Sequence, residues 1–549
     1  MPTPTRLTAI LAVLGTIAAG PAPGAAQDHD HTAGMDRLGT VVFPVSCTPA
    51  AQERFTHAMA VLHSFWWEEG DRAFDAVLAA DSTCAMAWWG KAMNAWNNPF
   101  AGGPAGPALA RGAAAAERAA ALGARTARER GFVAAAGALY RDAAGTSNAA
   151  RLQAYADTLA RLYRDFPDDV EVAIYHALAL VATAPRTDTT FARQKQAAAI
   201  LNPLFAAHPD HPGLAHYIIH SNDSPALAHL GLDAARRYAQ IAPAAPHAQH
   251  MPSHIFVRLG LWDETVAANW RSYQAGVDYA QALGRGEVAP HEFHALDYAV
   301  YGDLQQGRDS AAMAAVALAR SISTSGNANT LIGGYNGTAM QARIPLERSD
   351  WKAAAAFPVL QAPDVPLVTA LAHFTRGIGA ARSGGVAQAR ADVAALDSIA
   401  GLLAARDAYW ARVVGIKRDA VRAWVLLADG DTTGAAALAR ATADLEDVTD
   451  KHPVTPAELL PARELEADLL LAVGRYGEAR ASYEATLARE PGRARSIFGA
   501  ARAAELARER SQATVGYRAY LELMSGGDGT RPEMAIAQDY LARVAAARG

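Results

Sequence analysis

Long apolar runs, cysteines and net charge are all scarce in this chain of 549 residues. Beyond the N-terminal segment, no stretch reaches the roughly 18 continuous apolar residues of a membrane-spanning helix, which excludes an integral membrane segment. A formal net charge of −5 excludes the basic surface that nucleic acid or an anionic membrane would need. The sequence also lacks a Walker loop, a dinucleotide fingerprint, a GxSxG elbow and a Cys-His nucleophile arrangement, so we expect no nucleotide cofactor.

The N-terminus has the pattern of a secretory signal peptide. Arg6 precedes an apolar run from Leu7 to about Ala19, and small residues follow up to Ala26. We therefore expect a signal peptide over residues 1–26, an N-terminal extension over residues 27–46, and a periplasmic or secreted protein.

The clearest internal pattern is a repeat near the C-terminus. Shifting "RELEADLLLAVGRYGEARASYEATLAREPG" by 34 residues places Ala467 on Ala501, Ala479 on Ala513, and Tyr483 on Tyr517. A 34-residue period of two helices with a glycine turn and a closing proline is the tetratricopeptide signature. The sequence thus predicts an all-α fold, a tetratricopeptide-type α-solenoid of stacked antiparallel helix pairs.

The same pattern recurs upstream and suggests three parts after the extension. Residues 47–305 are predicted to form an N-terminal array with a histidine-rich concave face, and residues 346–549 a C-terminal array. Between them, residues 306–345 are predicted to be an irregular connector with a partial helix pair. The connector includes a long loop at "STSGNANTLIGGYNGT", residues 323–338.

Two sets of residues are assigned from this repeat frame. Cys47 and Cys84 lie 37 residues apart, close to one repeat, and in an exported protein such a pair indicates one disulfide, with two free thiols as the alternative. The disulfide would hold together the first two turns of the solenoid. Four tryptophans are interpreted as helical core, with an aromatic groove for a peptide or sugar as the alternative: Trp66, Trp67, Trp88 and Trp89.

Ten of the 17 histidines fall between His208 and His294, and the repeat orders them. A shift of 34 places His216 on His250 and His220 on His254, with the two histidines of each pair on one helix face. A further shift of 44 places His291 on His247 and His294 on His250. At the next matching position Tyr298 replaces the histidine.

Stacked imidazoles on neighbouring helices predict a transition-metal site, for Zn, Cu or Fe. The predicted ligands are His216, His220, His250, His254 and His294, and the weaker ones are His247, His291 and Asp297. Asp223 and Glu292 are the candidates for an acid or base beside the metal. The non-metal alternatives are an imidazole-lined groove for an acidic or aromatic ligand, and packing histidines inherited by repeat duplication.

The segments "HYIIH" and "APHAQHMPSHIFVRLGLWDE", with "HSFWWEE" and "CAMAWWG" upstream, resemble a group of exported bacterial tetratricopeptide-repeat proteins. The resemblance covers residues 41–305, and it implies an all-helical solenoid and export without implying a reaction. We therefore expect an exported solenoid whose groove binds a transition metal and a ligand, protein or peptide partner. A metal-dependent hydrolytic or oxidative enzyme and a plain interaction scaffold are the alternatives.

Overall fold

The computed structural model describes residues 37–101, 103–142, 145–285, 290–324, 330–360, 362 and 364–547. Every regular element in these residues is a helix, which confirms the all-α expectation. None of their helices is both long enough and apolar enough to cross a membrane. The predicted signal peptide and residues 27–36 of the predicted extension lie outside the described residues.

The helices of the histidine-bearing half run from α1 to α14. Their bounds are α1 Pro49–His63, α2 Trp67–Ala80, α3 Ala85–Trp96, α4 Gly106–Leu122, α5 Ala127–Tyr140, α6 Asn148–Asp165, α7 Val170–Ala182, α8 Ala192–Ala207, α9 Pro212–Asn222, α10 Leu232–Ile241, α11 Pro246–His250, α12 Pro252–Leu259, α13 Trp262–Ala282 and α14 Pro290–Gln305. Short 3₁₀ turns cover Pro99–Ala101 and Ala228–Gly231.

The remaining helices run from α15 to α26. Their bounds are α15 Asp309–Ser321, α16 Leu331–Glu347, α17 Trp351–Ala355, α18 Pro366–Ser383, α19 Val386–Ala404, α20 Ala408–Ala428, α21 Thr432–Asp447, α22 Ala462–Ala472, α23 Tyr476–Arg489, α24 Ala494–Leu506, α25 Arg510–Leu523 and α26 Pro532–Ala546. Consecutive helices pack on each other through most of the chain, as expected for a solenoid of helix pairs.

Local sequence explains where these helices begin and how closely neighbouring helices pack on each other. Proline begins the histidine-bearing helices α9, α11, α12 and α14, where its missing N–H costs no hydrogen bond. Gly260 ends α12 with a positive φ of 68°, which favours glycine. At Gly90 a Cβ atom would overlap the ring of Phe74, so α2 and α3 pack closely only because this position lacks a side chain.

The tryptophans lie in or against the core. Trp89 is 1% exposed and its ring centroid lies 5.6 Å from that of Phe43 and 5.2 Å from that of Phe132. Trp66 is buried against Tyr279, and Trp67 and Trp88 are partly buried on the same apolar core. The core interpretation therefore accounts for their contacts.

The connector differs from the sequence expectation. Residues 331–338, predicted as part of a long loop, form the first half of α16, and α15 occupies much of the preceding stretch. The Thr330 hydroxyl accepts a hydrogen bond from the Gly333 N–H at 2.9 Å, which caps the helix. Buried Tyr335 and Asn336 then anchor this helix, so burial overrides a glycine-rich sequence that is typical of turns.

One non-helical segment of the C-terminal half lies on the histidine-bearing half. We call residues 448–461, between α21 and α22, the covering segment. Its Thr455 and Pro453 carbonyls face the Tyr298 hydroxyl of α14, and its Asp450 accepts a hydrogen bond from Arg258 of α12 at 3.1 Å. Buried Arg343 of α16 donates to Thr455 and to the Ala457 carbonyl, both at 2.9 Å.

Cys47 and Cys84 form a disulfide with their Cα atoms 5.3 Å apart. Removing it by a Cys47→Ser/Cys84→Ser double substitution is expected to lower the free energy of unfolding by about 3 to 4 kcal/mol, because the 37-residue link restrains the unfolded chain. Thermal unfolding with and without reductant measures the effect. Reductant should destabilise the natural chain and leave the double variant unchanged. Equal melting temperatures for the two proteins without reductant would contradict the prediction.

Candidate metal centre

Four neighbouring helices carry the histidines. His216 and His220 lie on α9, His247 and His250 on α11, and His254 on α12. The remaining pair, on α14, is His291 and His294. Repeat-equivalent prolines begin α9, α11 and α14, and histidine rings of neighbouring helices contact one another: His216 with His247, His220 with His254, and His250 with His294.

The helix is interrupted between α11 and α12. Met251 separates the two helices and Pro252 begins the second. Pro252 cannot donate the backbone hydrogen bond that a continuous helix requires. The Ser253 hydroxyl bonds instead to the His250 carbonyl at 2.7 Å, which holds the break in place.

The first triad consists of His216, His220 and His247. The His216 Nε2 atom lies 3.1 Å from His220 Nε2 and 3.2 Å from His247 Nε2. One ring nitrogen from each residue lies within 4.8 Å of the other two. His247 thus lies beside His216 and His220, which the sequence ranked above it.

The second triad consists of His250, His254 and His294. The Nε2 atoms of His250 and His254 are 3.0 Å apart, and a ring nitrogen of His294 lies within 4.8 Å of both. All three side chains are buried.

The two triads are neighbours. We call the buried group of rings that they form with His291 the chamber; its members are His216, His220, His247, His250, His254, His291 and His294. Ring centroids of His220 and His254 are 6.2 Å apart, and those of His247 and His250 are 6.1 Å apart. His291 lies between the triads, 5.3 Å from His247 and 5.6 Å from His250 by ring centroid. Its Nε2 atom is buried and has no hydrogen-bond partner in the part of the chain that the structure describes.

Hydrogen bonds at Nδ1 fix the protonation of three of these rings. His216 Nδ1 lies 2.6 Å from the His63 carbonyl, which can only accept, so this Nδ1 carries hydrogen. His254 Nδ1 faces the Asp223 carboxylate at 2.9 Å and is protonated for the same reason. Each neutral ring therefore presents an unprotonated Nε2 to the chamber.

His250 is oriented by an amide. Its Nδ1 lies 2.6 Å from Asn269 Oδ1, and the Asn269 amide nitrogen donates to the Thr265 carbonyl at 2.7 Å. The second bond fixes the amide orientation, so Asn269 Oδ1 accepts and His250 Nδ1 donates. The Nε2 atoms of His250 and His254 therefore face each other with no hydrogen on either atom.

Burial keeps the rings uncharged. Desolvation lowers the pKa of His216 to about 3 and that of His291 to about 4. Desolvation, followed by neighbouring histidines, lowers the pKa of the other chamber rings well below the ordinary value, namely His220, His247, His250 and His294. The pKa of His254 is also lowered by burial, although Asp223 opposes the change.

The nitrogen separations fit a coordination sphere. Two nitrogens about 2.0–2.1 Å from one ion lie about 2.9 Å apart at a right angle and about 3.4 Å apart at a tetrahedral angle. The observed Nε2 separations of 3.0, 3.1 and 3.2 Å fall within that range. The pairs His216–His220, His216–His247 and His250–His254 therefore have the separation of two neutral imidazole ligands on one first-row transition ion.

The three acidic candidates do not enter the triads. Asp223 lies behind His254 and pairs with Arg258, whose Nε donates to its carboxylate at 2.9 Å. Asp297 forms a fully buried ion pair with Arg343 at 2.9 Å. The Glu292 carboxylate packs against Gly276 of α13. Among them, Asp223 is positioned to orient a ligand.

In a third group of buried titratable residues, the hydrogen-bonding groups pair with one another. Glu171 accepts hydrogen bonds from His63 Nε2 and His211 Nε2, both at 3.0 Å. His211 Nδ1 accepts from the Gly213 N–H, so its Nε2 carries the hydrogen that it donates. This buried network needs no ion, and it holds the His63 carbonyl against His216.

Two of the three orienting groups were not found from the sequence, whereas Asp223 was. Asn269 is a neutral residue in the middle of α13, and the His63 group that acts on His216 is a backbone carbonyl. Neither belongs to a ligand motif. The register did locate Tyr298 at the next histidine-equivalent position, and its ring packs on His250, His254 and His294.

Neither a known family nor a curated protein matches the sequence. Solved structures with similarity include a human IFIT1 dimer with m7Gppp-AAAA, 11% identical, covering 94% of each chain with a TM-score of 0.30. Others are the P58(IPK) TPR domain (15% identical, 68% of this chain and 99% of that chain, TM-score 0.21) and Naa15/Naa10 bound to HypK-THB (11%, 91% and 92%, 0.23). Likeness this slight carries no functional argument.

Metal-free protein should lose stability as the pH falls from 7 to 5. The unfolded chain takes up protons at histidine near pH 6.5, whereas the buried chamber rings, with lowered pKa values, do not. The unfolded state therefore binds more protons in this window, and acid favours it. Melting temperature against pH in the presence of a chelator measures the slope.

A matched pair of variants assigns that slope to the chamber. His250→Gln/His254→Gln should reduce the slope, because two of the seven buried rings no longer contribute, whereas His208→Gln/His229→Gln, which changes two exposed histidines, should leave it intact. An unchanged melting temperature from pH 7 to 5 in the natural chain would contradict the prediction.

Proposed function

We propose that this chain is a transition-metal-binding α-solenoid protein in which each histidine triad binds one ion. The single observation that carries the proposal is the pair of facing, unprotonated Nε2 atoms of His250 and His254, 3.0 Å apart. Two facing lone pairs repel, and His250 Nε2 is a buried acceptor whose neighbouring ring nitrogen also carries no hydrogen, whereas His254 Nε2 has the Tyr298 hydroxyl at 3.5 Å. A cation between them removes both penalties.

Neither a proton nor a water molecule serves as well. A proton would create a buried imidazolium, which the desolvation that lowers the pKa of His250 opposes. A water molecule at hydrogen-bond distance from both nitrogens would have to bend its two O–H bonds to a far narrower angle than they adopt. A metal ion accepts both lone pairs at the observed separation.

The donor set indicates which ions fit. Six neutral imidazoles without a thiolate suit zinc, copper, iron or nickel, and copper binds such nitrogens most tightly among the divalent ions. The two cysteines are committed to the disulfide. We therefore expect copper to be the tightest-binding ion, with zinc and iron as competitors.

A metal-dependent enzyme is the second candidate function. It is favoured by the three-histidine sets, because three protein ligands leave a coordination position for water or substrate. Asp223 is engaged by His254 and Arg258, so it acts as a positioning residue in this candidate.

Export remains part of the proposal. The disulfide between Cys47 and Cys84 supports it, because disulfides persist in oxidising compartments such as the periplasm and the exterior. We also propose that a protein or peptide partner binds the concave groove predicted for residues 47–305.

Untagged protein should contain stoichiometric transition metal by elemental analysis. A His250→Ala/His254→Ala variant is expected to lose the ion of the second triad, because two of its three ligands are gone. His208→Ala/His229→Ala is the control, since both side chains are exposed outside the chamber. Metal-free protein whose thermal stability is unchanged by added zinc or copper would refute the proposal.

Asp223→Asn is expected to weaken metal binding about 10- to 100-fold, because the charged acceptor behind His254 is lost. Competition with a chelator measures the affinity. Asp450→Asn is the matched control: Asp450 pairs with the same Arg258 at 3.1 Å and is more exposed. Equal affinities for the two variants would show that Asp223 does not position the ligand.

A further inference from the structure

We propose that the hydroxyl oxygen of Tyr298 is the fourth ligand of the second triad, as a phenolate bound to the same ion as His250, His254 and His294. This inference rests on the proposed metal site. It goes further in making the two sites chemically different, one with three neutral donors and one with an anionic donor added.

The helical register is the first argument. His216 and His220 are four residues apart on α9, and His250 and His254 are four apart across the break between α11 and α12. Tyr298 follows His294 by four residues on α14. Residues at this spacing lie on one helix face. Tyr298 therefore occupies the position that corresponds to His220 on α9 and to His254 on α12, both proposed as ligands.

Contact distances are the second argument. The Tyr298 ring centroid lies 4.8 Å from that of His250, 5.2 Å from that of His254 and 5.1 Å from that of His294. Its hydroxyl oxygen is 3.5 Å from His254 Nε2. Donors about 2.0–2.1 Å from one tetrahedral ion lie about 3.4 Å apart, so the separation of this oxygen from His254 Nε2 fits two ligands of one ion.

The hydroxyl hydrogen is weakly held. The acceptors within its reach are the Thr455 carbonyl at 3.2 Å, the Pro453 carbonyl at 3.4 Å and the unprotonated His254 Nε2 at 3.5 Å, all longer than an ordinary hydrogen bond. When the ion binds, the O–H bond breaks, the oxygen donates an electron pair to the ion, and the proton leaves to solvent. No oxidant or reductant is required.

Without an ion the hydroxyl stays protonated. Desolvation raises the pKa of Tyr298 well above its ordinary value, and the charges of Asp223 and Asp297 add to this rise, whereas Arg258 and Arg343 oppose it. The cation itself then decides the outcome, as it does for thiols and waters that lose a proton on coordination. One negative charge in the second site would favour a more oxidised ion there than in the all-histidine site.

Visible absorption tests the assignment. Protein loaded with Cu(II) or Fe(III) should show a phenolate-to-metal charge-transfer band with tyrosinate modes in resonance Raman. Tyr298→Phe should abolish both, and Tyr238→Phe should not. Tyr238 is the matched control because it is a buried tyrosine that stacks on His216 of the first triad at 5.2 Å.

A second variant guards against misfolding of the first. Tyr298→His gives α14 a pair of histidines four residues apart, like His216/His220 and His250/His254. This variant should bind metal without the phenolate band. Metal content measured on the same samples separates the two proposals. A natural chain that binds metal without the band, or a band that survives in both Tyr298 variants, would overturn the ligand assignment alone; a natural chain that binds no metal would overturn both.

Discussion

The orientation of imidazole rings by hydrogen bonds at Nδ1 is the constraint on which the candidate site depends. A carbonyl holds His216, an amide holds His250 and a carboxylate holds His254. All three are acceptors at those positions, so every held ring directs an unprotonated Nε2 inward. Burial keeps those nitrogens free of protons. The site is thus defined as much by the acceptors behind the rings as by the histidines.

The solenoid supplies the acceptors and the spacing together. Helices α9, α11–α12 and α14 stack as successive first helices, while α13 carries Asn269 behind His250 and the end of α1 presents the His63 carbonyl to His216. The self-contained network of His63, Glu171 and His211 holds that end of α1 in place. A rigid repeat therefore converts linear periodicity into a chamber with two triads.

Sequence reasoning could predict the periodic part of this arrangement. The shift of 34 placed His216 with His250 and His220 with His254, because helix pairs repeat at that length. It ranked His247 lower, because the contact of His247 with His216 at 3.2 Å is between helices and is not visible in the spacing along one helix. It mistook the start of α16 for a loop, since glycine and asparagine are typical of turns when burial is ignored.

The second triad also depends on residues far along the chain. Arg258 joins the Asp223 carboxylate behind His254 to Asp450 of the covering segment, and Tyr298 meets that segment at the Thr455 carbonyl. No equivalent contact with the covering segment is shown for the first triad among the described residues. The fold thereby gives two sites built by the same repeat different surroundings.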